Sequence, residues 1–233
     1  MADLAELEGI LGIKFNNLSL LEQAVVHSSY INENPASVSG HNERLEFLGD
    51  AILGFIVAEK LYRDFPELDE GEMTKFRAAL VRRDTLARVA RTIRLGDFLY
   101  MGKGEEVDGG RGRTANLAGA LEAVLAATYL DQGVTVTSDL VLKLLGSELE
   151  RAVSRGAGVD FKSKLQELTQ SRHQSVPAYR LIAEAGPDHD KRFTFEVIVD
   201  DKVLGRGTGK SKKSAETEAA RMALGRLTDS FRE

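Results

Sequence analysis

HNERLEFLGDA, residues 41–51, sets three carboxylates into a stretch that otherwise reads as a buried helix. Glu43, Glu46 and Asp50 are three and four residues apart. At about 100° per residue they fall within an arc of about 60° on one helix face. Leu45, Leu48 and Ile52 take the opposite side, and the apolar run continues through Phe55 and Ile56. Like charges crowded at the edge of a core repel one another, and desolvation adds to the cost. Arg44 points away from the acidic face and cannot neutralise all three. The pattern asks for positive charge, either from basic residues elsewhere in the fold or from a metal ion.

Two further carboxylates favour the metal. Glu70 lies in LDEGEM (68–73), just before a helical stretch, and Glu122 lies in NLAGALEAVLAATYLDQG (116–133). Around Glu122, Leu117, Leu121, Val124, Leu125 and Leu130 make most of the surroundings apolar. A carboxylate inside a second apolar helix suits a hard cation such as Mg²⁺, which prefers oxygen ligands. The four histidines (His27, His41, His173 and His189) are scattered without metal-ligand spacing. His27, in VVHSSY, reads as a structural residue near a helix end. No serine stands in a convincing Ser/His/Asp constellation.

At 233 residues and 42% hydrophobic, the chain is long enough for one large domain or two unequal ones. Without cysteine it has neither disulfides nor thiolate metal sites. Its start is acidic where a signal peptide would be basic, and ILGFIVA (52–58) is far short of the ~20 residues that span a bilayer. A cytoplasmic protein with no membrane partner is expected. The net charge of −5 conceals an asymmetry: residues 160–233 hold 14 Lys and Arg against 12 Asp and Glu, whereas residues 1–159 hold 17 against 24. Such a division suggests two modules with different tasks.

Residues 1–153 read as helical, with helices expected at 3–11, 18–29, 42–64, 72–92, 94–98, 114–130 and 136–153. Asn16-Asn17, Asn34-Pro35, Phe65-Pro66 and the Gly-rich GKGEEVDGGRGR (102–113) supply turns between them. Residues 154–159 are small and polar and read as a linker. Beyond it the pattern is helix (160–173), three strands (179–186, 192–199, 202–209) and an Ala-rich helix (211–227). The expected fold is therefore an all-α domain followed by a small α+β module of order α-β-β-β-α.

Three features of the tail could meet a polyanion. Lys210, Lys212 and Lys213 cluster at the start of the last helix, where free backbone N–H groups already favour phosphate. His189 sits in the loop GPDHDKR (186–192), and Ser163, Gln166, Glu167 and Gln170 share a face of the first helix. A solvated helix end is the plainer reading of KSKK taken alone. GRGTGKS (205–211) invites comparison with a phosphate-binding loop, but that motif needs a glycine at Leu204 and a following strand. No nucleotide cofactor is expected.

The order α-β-β-β-α, with KLQELTQ, GP-x-H and GKSKKSAE in place, resembles a double-stranded-RNA-binding domain over residues 160–228. Such domains read the shape of about 16 bp of A-form duplex across two minor grooves and the phosphates between. The resemblance implies that Ser163, Gln166, Glu167 and Gln170 meet one groove, His189 the next, and the three lysines the phosphates. NERLEFLGDA in turn resembles the signature of bacterial ribonuclease III, and the likeness extends through VVHSSY (25–30), FPELDEGEMTKFRAALV (65–81) and LEAVLAATYLD (121–131). It implies a homodimer formed by the helical domain, with Glu46, Asp50 and Glu122 as metal ligands and Asp50 and Glu122 as the essential catalytic pair. Glu43 would support them, and Glu70 would be an outer acidic residue. The implied activity is hydrolysis of double-stranded RNA with Mg²⁺, or Mn²⁺ in its place. It would leave 5′-phosphate and 3′-hydroxyl ends with short 3′ overhangs, in the processing of ribosomal and other RNAs.

The sequence departs from that family at one position. An acidic residue is expected three before Glu122, and Gly119 stands there. Asn116, a turn earlier, is the candidate compensating ligand, and Gly119→Asp is expected to restore a carboxylate. The alternative reading that Gly119 supports is a dimeric protein that binds duplex RNA without cutting it.

Overall fold

The computed structural model describes residues 3–34, 40–154, 160–187 and 191–229. The chain forms two compact units, one from residues 1–59 and 80–146, the other from 60–79 and 147–233.

In the first unit, α1 (Leu4–Leu11) starts on the Asp3 side chain and ends on Gly12, whose left-handed backbone (φ 75°) lets its N–H close on Glu8 O at 2.8 Å. The span expected as one helix at 18–29 is two, α2 (Leu18–Ala24) and α3 (Ser28–Glu33). The break occurs because His27 caps α3, its Nδ1 accepting the Ser29 N–H, while Val26 bridges Tyr100. Helix α4 (Glu43–Asp64) carries the opening motif. The span 72–92 also divides, into α5 (Glu70–Val81) and α6 (Arg83–Thr92), because Arg82 is extended at φ −65°, ψ 148°. The Gly-rich 102–113, expected only as a turn, contains α7 (Lys103–Val107). Arg111 fastens that loop by donating to Gly96 O (3.1 Å) and Leu99 O (2.7 Å). Helix α8 (Thr114–Ser154) joins the two helices expected at 114–130 and 136–153 across a kink at Gly133 (φ 80°). Leu53, Leu86, Val89, Leu121, Leu125, Val141 and Leu145 form a core between α4, α6 and both arms of α8.

The second unit contains α9 (Phe161–His173), β1 (Ala178–Ala185), β2 (Arg192–Val199), β3 (Lys202–Gly209) and α10 (Lys212–Asp229). The strands form an antiparallel sheet in the order β1-β2-β3. Phe195, Val197 and Val199 are buried, the alternation expected of a sheet with one covered face. Ala215, Ala219, Ala220 and Ala223 are fully buried on α10, which lies against β2 and β3. Phe76 of α5 also belongs to this unit and packs against Phe161 in a tilted arrangement, ring centroids 6.4 Å apart. The expected linker, beyond Ser154, lies outside the described residues.

Candidate active site and nucleic-acid interface

Glu43, Glu46, Asp50 and Glu122 line one cleft of about 540 Å³ in the first unit, together with Phe47, Val81, Arg82 and Arg83. Helix α4 supplies three of the carboxylates and α8 the fourth, and the junction of α5 and α6 supplies the arginines. What brings the helices so close is Gly49. A Cβ there would fall inside the contact distance of the Glu122 carbonyl, whose own Cα would be 3.0 Å away. Only a residue without a side chain allows α4 to lie directly on the backbone of Glu122.

Electrostatics mark the same residues. Burial, followed by the charges of Asp50 and Glu46, pushes the Glu122 carboxyl up to about 7, against the opposing pull of Arg83. Glu46 is also raised, by burial and by Glu43 and Asp50, with Arg83 and His27 opposing. Arg83 thus offsets only part of the crowding. As they stand, no three acidic or histidine side chains among the described residues converge closely enough to hold an ion. All four carboxylates nevertheless line one cleft.

Other candidates lie elsewhere. Glu70 is exposed in the first turn of α5 and does not line the cleft. Asn116 does not line it either: its amide donates to Glu105 Oε1 (2.7 Å) and Gly110 O (3.0 Å), bracing α7. Gly119 is buried, and the three nearest atoms that a Cβ built on it would meet all belong to the Glu46 carboxylate, Cδ at 2.7 Å and Oε1 at 3.0 Å among them. Two apolar assignments need correction. Phe55 is 58% exposed and Leu130 51%. Phe55 lies eight residues from Phe47, itself 82% exposed, so both belong to an outer stripe of α4 rather than to the core. Sequence reasoning missed Arg82 and Arg83, whose importance depends on a helix break that periodicity does not show.

In the second unit, Ser163, Gln166, Glu167 and Gln170 are exposed along α9. The Ser163 hydroxyl bonds Asp160 Oδ2 at 2.8 Å. Lys210, Lys212 and Lys213 are exposed around the start of α10. His189 lies outside the described residues. The glycines of GRGTGKS have a packing role. A Cβ on Gly205 or Gly207 would strike the α10 backbone, Ala223 N at 2.7 Å and Glu218 C at 2.7 Å respectively. They permit close approach of strand to helix.

A family model described as ribonuclease-III-like matches residues 17–149, and one for the double-stranded RNA binding motif matches 161–227. The chain is 54% identical to a protein named Ribonuclease 3 from Dehalococcoides mccartyi, over 99% of this chain and 98% of that one. It is 48% identical to a Ribonuclease 3 of Desulforamulus reducens, over 93% and 88%. Among solved structures, the nuclease domain of ribonuclease III from Campylobacter jejuni superposes with a TM-score of 0.58 at 37% identity. That likeness covers 62% of this chain and 97% of the other, whose structure is described in terms of flexibility in the region involved in dimer formation.

Proposed function

The chain belongs to the ribonuclease III family and is an endoribonuclease, and on that premise we propose that it hydrolyses both strands of RNA duplexes in a Mg²⁺-dependent reaction. The observation that carries the reading is the cleft in which two facing helices crowd four carboxylates, two of them pushed upward by burial and by their acidic neighbours. Glu46, Asp50 and Glu122 would hold the ion, an all-oxygen donor set that fits Mg²⁺ or Mn²⁺. When bound, it supplies Lewis-acid activation of water and of the scissile phosphate. Glu43, exposed at the rim, adds negative charge that favours cation entry, and Arg82 and Arg83 give the phosphodiester a positive wall. Hydrolysis forms a bond from water oxygen to phosphorus and breaks the bond to the 3′ oxygen, which takes a proton. The products are 5′-phosphate and 3′-hydroxyl ends.

The exposed faces of α9 and the start of α10 would hold the duplex, with Lys210, Lys212 and Lys213 on its phosphates. Two copies would pair through the outer stripe of α4. Phe47 and Phe55 are exposed there, and a hollow lined by Leu20, Leu45, Leu48 and Leu130 opens beside Phe47. Paired clefts would cut opposite strands and leave short 3′ overhangs. We place this activity in the cytoplasm, on ribosomal and other RNA precursors.

Incubating the protein with a long RNA duplex, with Mg²⁺ or with EDTA, tests the reading. Cleavage in Mg²⁺ alone supports it, and cleavage in EDTA overturns the metal requirement. Binding without cleavage under both conditions would favour the reading that Gly119 raised, a duplex-binding protein that does not cut.

A further inference from the structure

Gly119 stands in the interior of a helical arm at ordinary helical backbone angles, so no unusual conformation calls for glycine there. Glycine at such a position costs about 1 kcal/mol relative to alanine. The three nearest atoms that a Cβ would meet are Oε2, Cδ and Oε1 of Glu46, and no backbone atom is among them. This differs from Gly49, where all three are backbone atoms of Glu122. Gly54 and Gly146, also helical, have nothing within reach. At Gly119 the missing side chain makes room first of all for the carboxylate of Glu46.

We propose that Gly119 is a positioning residue: by lacking a side chain it forms a recess on α8 that seats the Glu46 carboxylate, and thereby sets where this ligand is presented to the divalent cation. The proposal rests on the metal-binding reading above. On this view position 119 is not an empty ligand place. The volume a side chain would take is already filled by an oxygen donor reaching across from α4, held half-buried against the helix that carries Glu122. Any Cβ at 119 has to displace that carboxylate, because the neighbour that can give way is the rotatable end of Glu46.

Mn²⁺ binding to the full chain without RNA, followed by electron paramagnetic resonance, tests this. Gly119→Ala adds one methyl group and no donor. It is expected to weaken Mn²⁺ binding by roughly tenfold or more, the range for groups that orient metal ligands. Its thermal midpoint should equal or exceed that of wild type. In a Glu46→Ala background the recess has no occupant, so adding Gly119→Ala should change binding no further. Unchanged binding in Gly119→Ala overturns the recess. So does an equal loss in both backgrounds, which would make the effect independent of Glu46. A Gly119→Ala protein that fails to fold also overturns it, since a flexible carboxylate would then not be the only obstacle. Wild type that binds no Mn²⁺ overturns the metal reading itself, a result distinct from wild-type binding that Gly119→Ala leaves intact.

Discussion

Glu122 occupies the most demanding position in the cleft, half-buried on α8 with Asp50 and Glu46 opposite. Glu122→Gln keeps its shape and removes its charge. Cleavage of duplex RNA in saturating Mg²⁺ should fall by more than about a hundredfold, whereas duplex binding in EDTA should be unchanged in a gel-shift measurement. A second expectation concerns the metal-free protein. The folded Glu122 carboxyl lies at about 7, above its ordinary value of 4.5, and Glu46 is shifted in the same direction. The folded state then holds protons that the unfolded state has released between these values, so stability falls as pH rises through that window. In EDTA, urea unfolding of the nuclease should therefore need less urea at pH 8 than at pH 5. Added Mg²⁺ should recover stability at pH 8 and have little effect at pH 5. At this scale the sequence was legible for charge and illegible for space. The spacing of Glu43, Glu46 and Asp50 announces a shared face, but nothing in it reveals that Glu46 lies on Gly119. Aspartate at 119 would exchange one carboxylate for another rather than fill a vacancy.

Helices and strands were read where one periodicity runs unbroken, and misread where a cap or a tertiary contact interrupts it. All three strands and α4 fall within a residue or so of expectation, since β2 places an apolar residue at every second position and α4 has a continuous apolar face. The breaks at His27 and Arg82 were missed, because one depends on a histidine acting as a cap and the other on a single extended residue between two helical patterns. The short α7 was missed because it is fastened from outside by Arg113 and Asn116 on Glu105. The glycines of β3 carry a different lesson. Read alone, GRGTGKS suggests phosphate, whereas beside α10 the same glycines are spacers for the buried alanines. Gly207→Ala should push β3 off α10 and destabilise this module by about 1–3 kcal/mol, the usual range for overpacking. Denaturant unfolding would measure the loss, and an unchanged midpoint would mean that strand and helix can separate without cost.

For the whole molecule, the reading requires two copies of a cleft and a separate means of holding the duplex. Phe47 is the most exposed large hydrophobic side chain on α4, and with the exposed Phe55 on the same helix and an apolar hollow beside it, it offers a self-associating face. Phe47→Asp should weaken self-association by about 2 kcal/mol or more, as expected for a central aromatic anchor. Sedimentation equilibrium is expected to find dimers for wild type and monomers for this variant. Holding and cutting should also separate, because Lys210, Lys212 and Lys213 line the start of α10 whereas every cleft residue belongs to the other unit. Phosphate contacts act by releasing counterions, and each one lost lowers the steepness of the salt dependence by about one unit in a plot of log affinity against log salt. Replacing all three lysines with alanine should weaken duplex binding most at low salt, with the deficit narrowing as salt rises, and flatten that plot by up to about three units. The maximal cleavage rate at low salt and saturating RNA should stay near that of wild type, the reverse of the pattern expected for Glu122→Gln. A triple variant that binds normally but cuts slowly would move these lysines out of the holding surface and into the reaction, and the division of labour between the two units would fail.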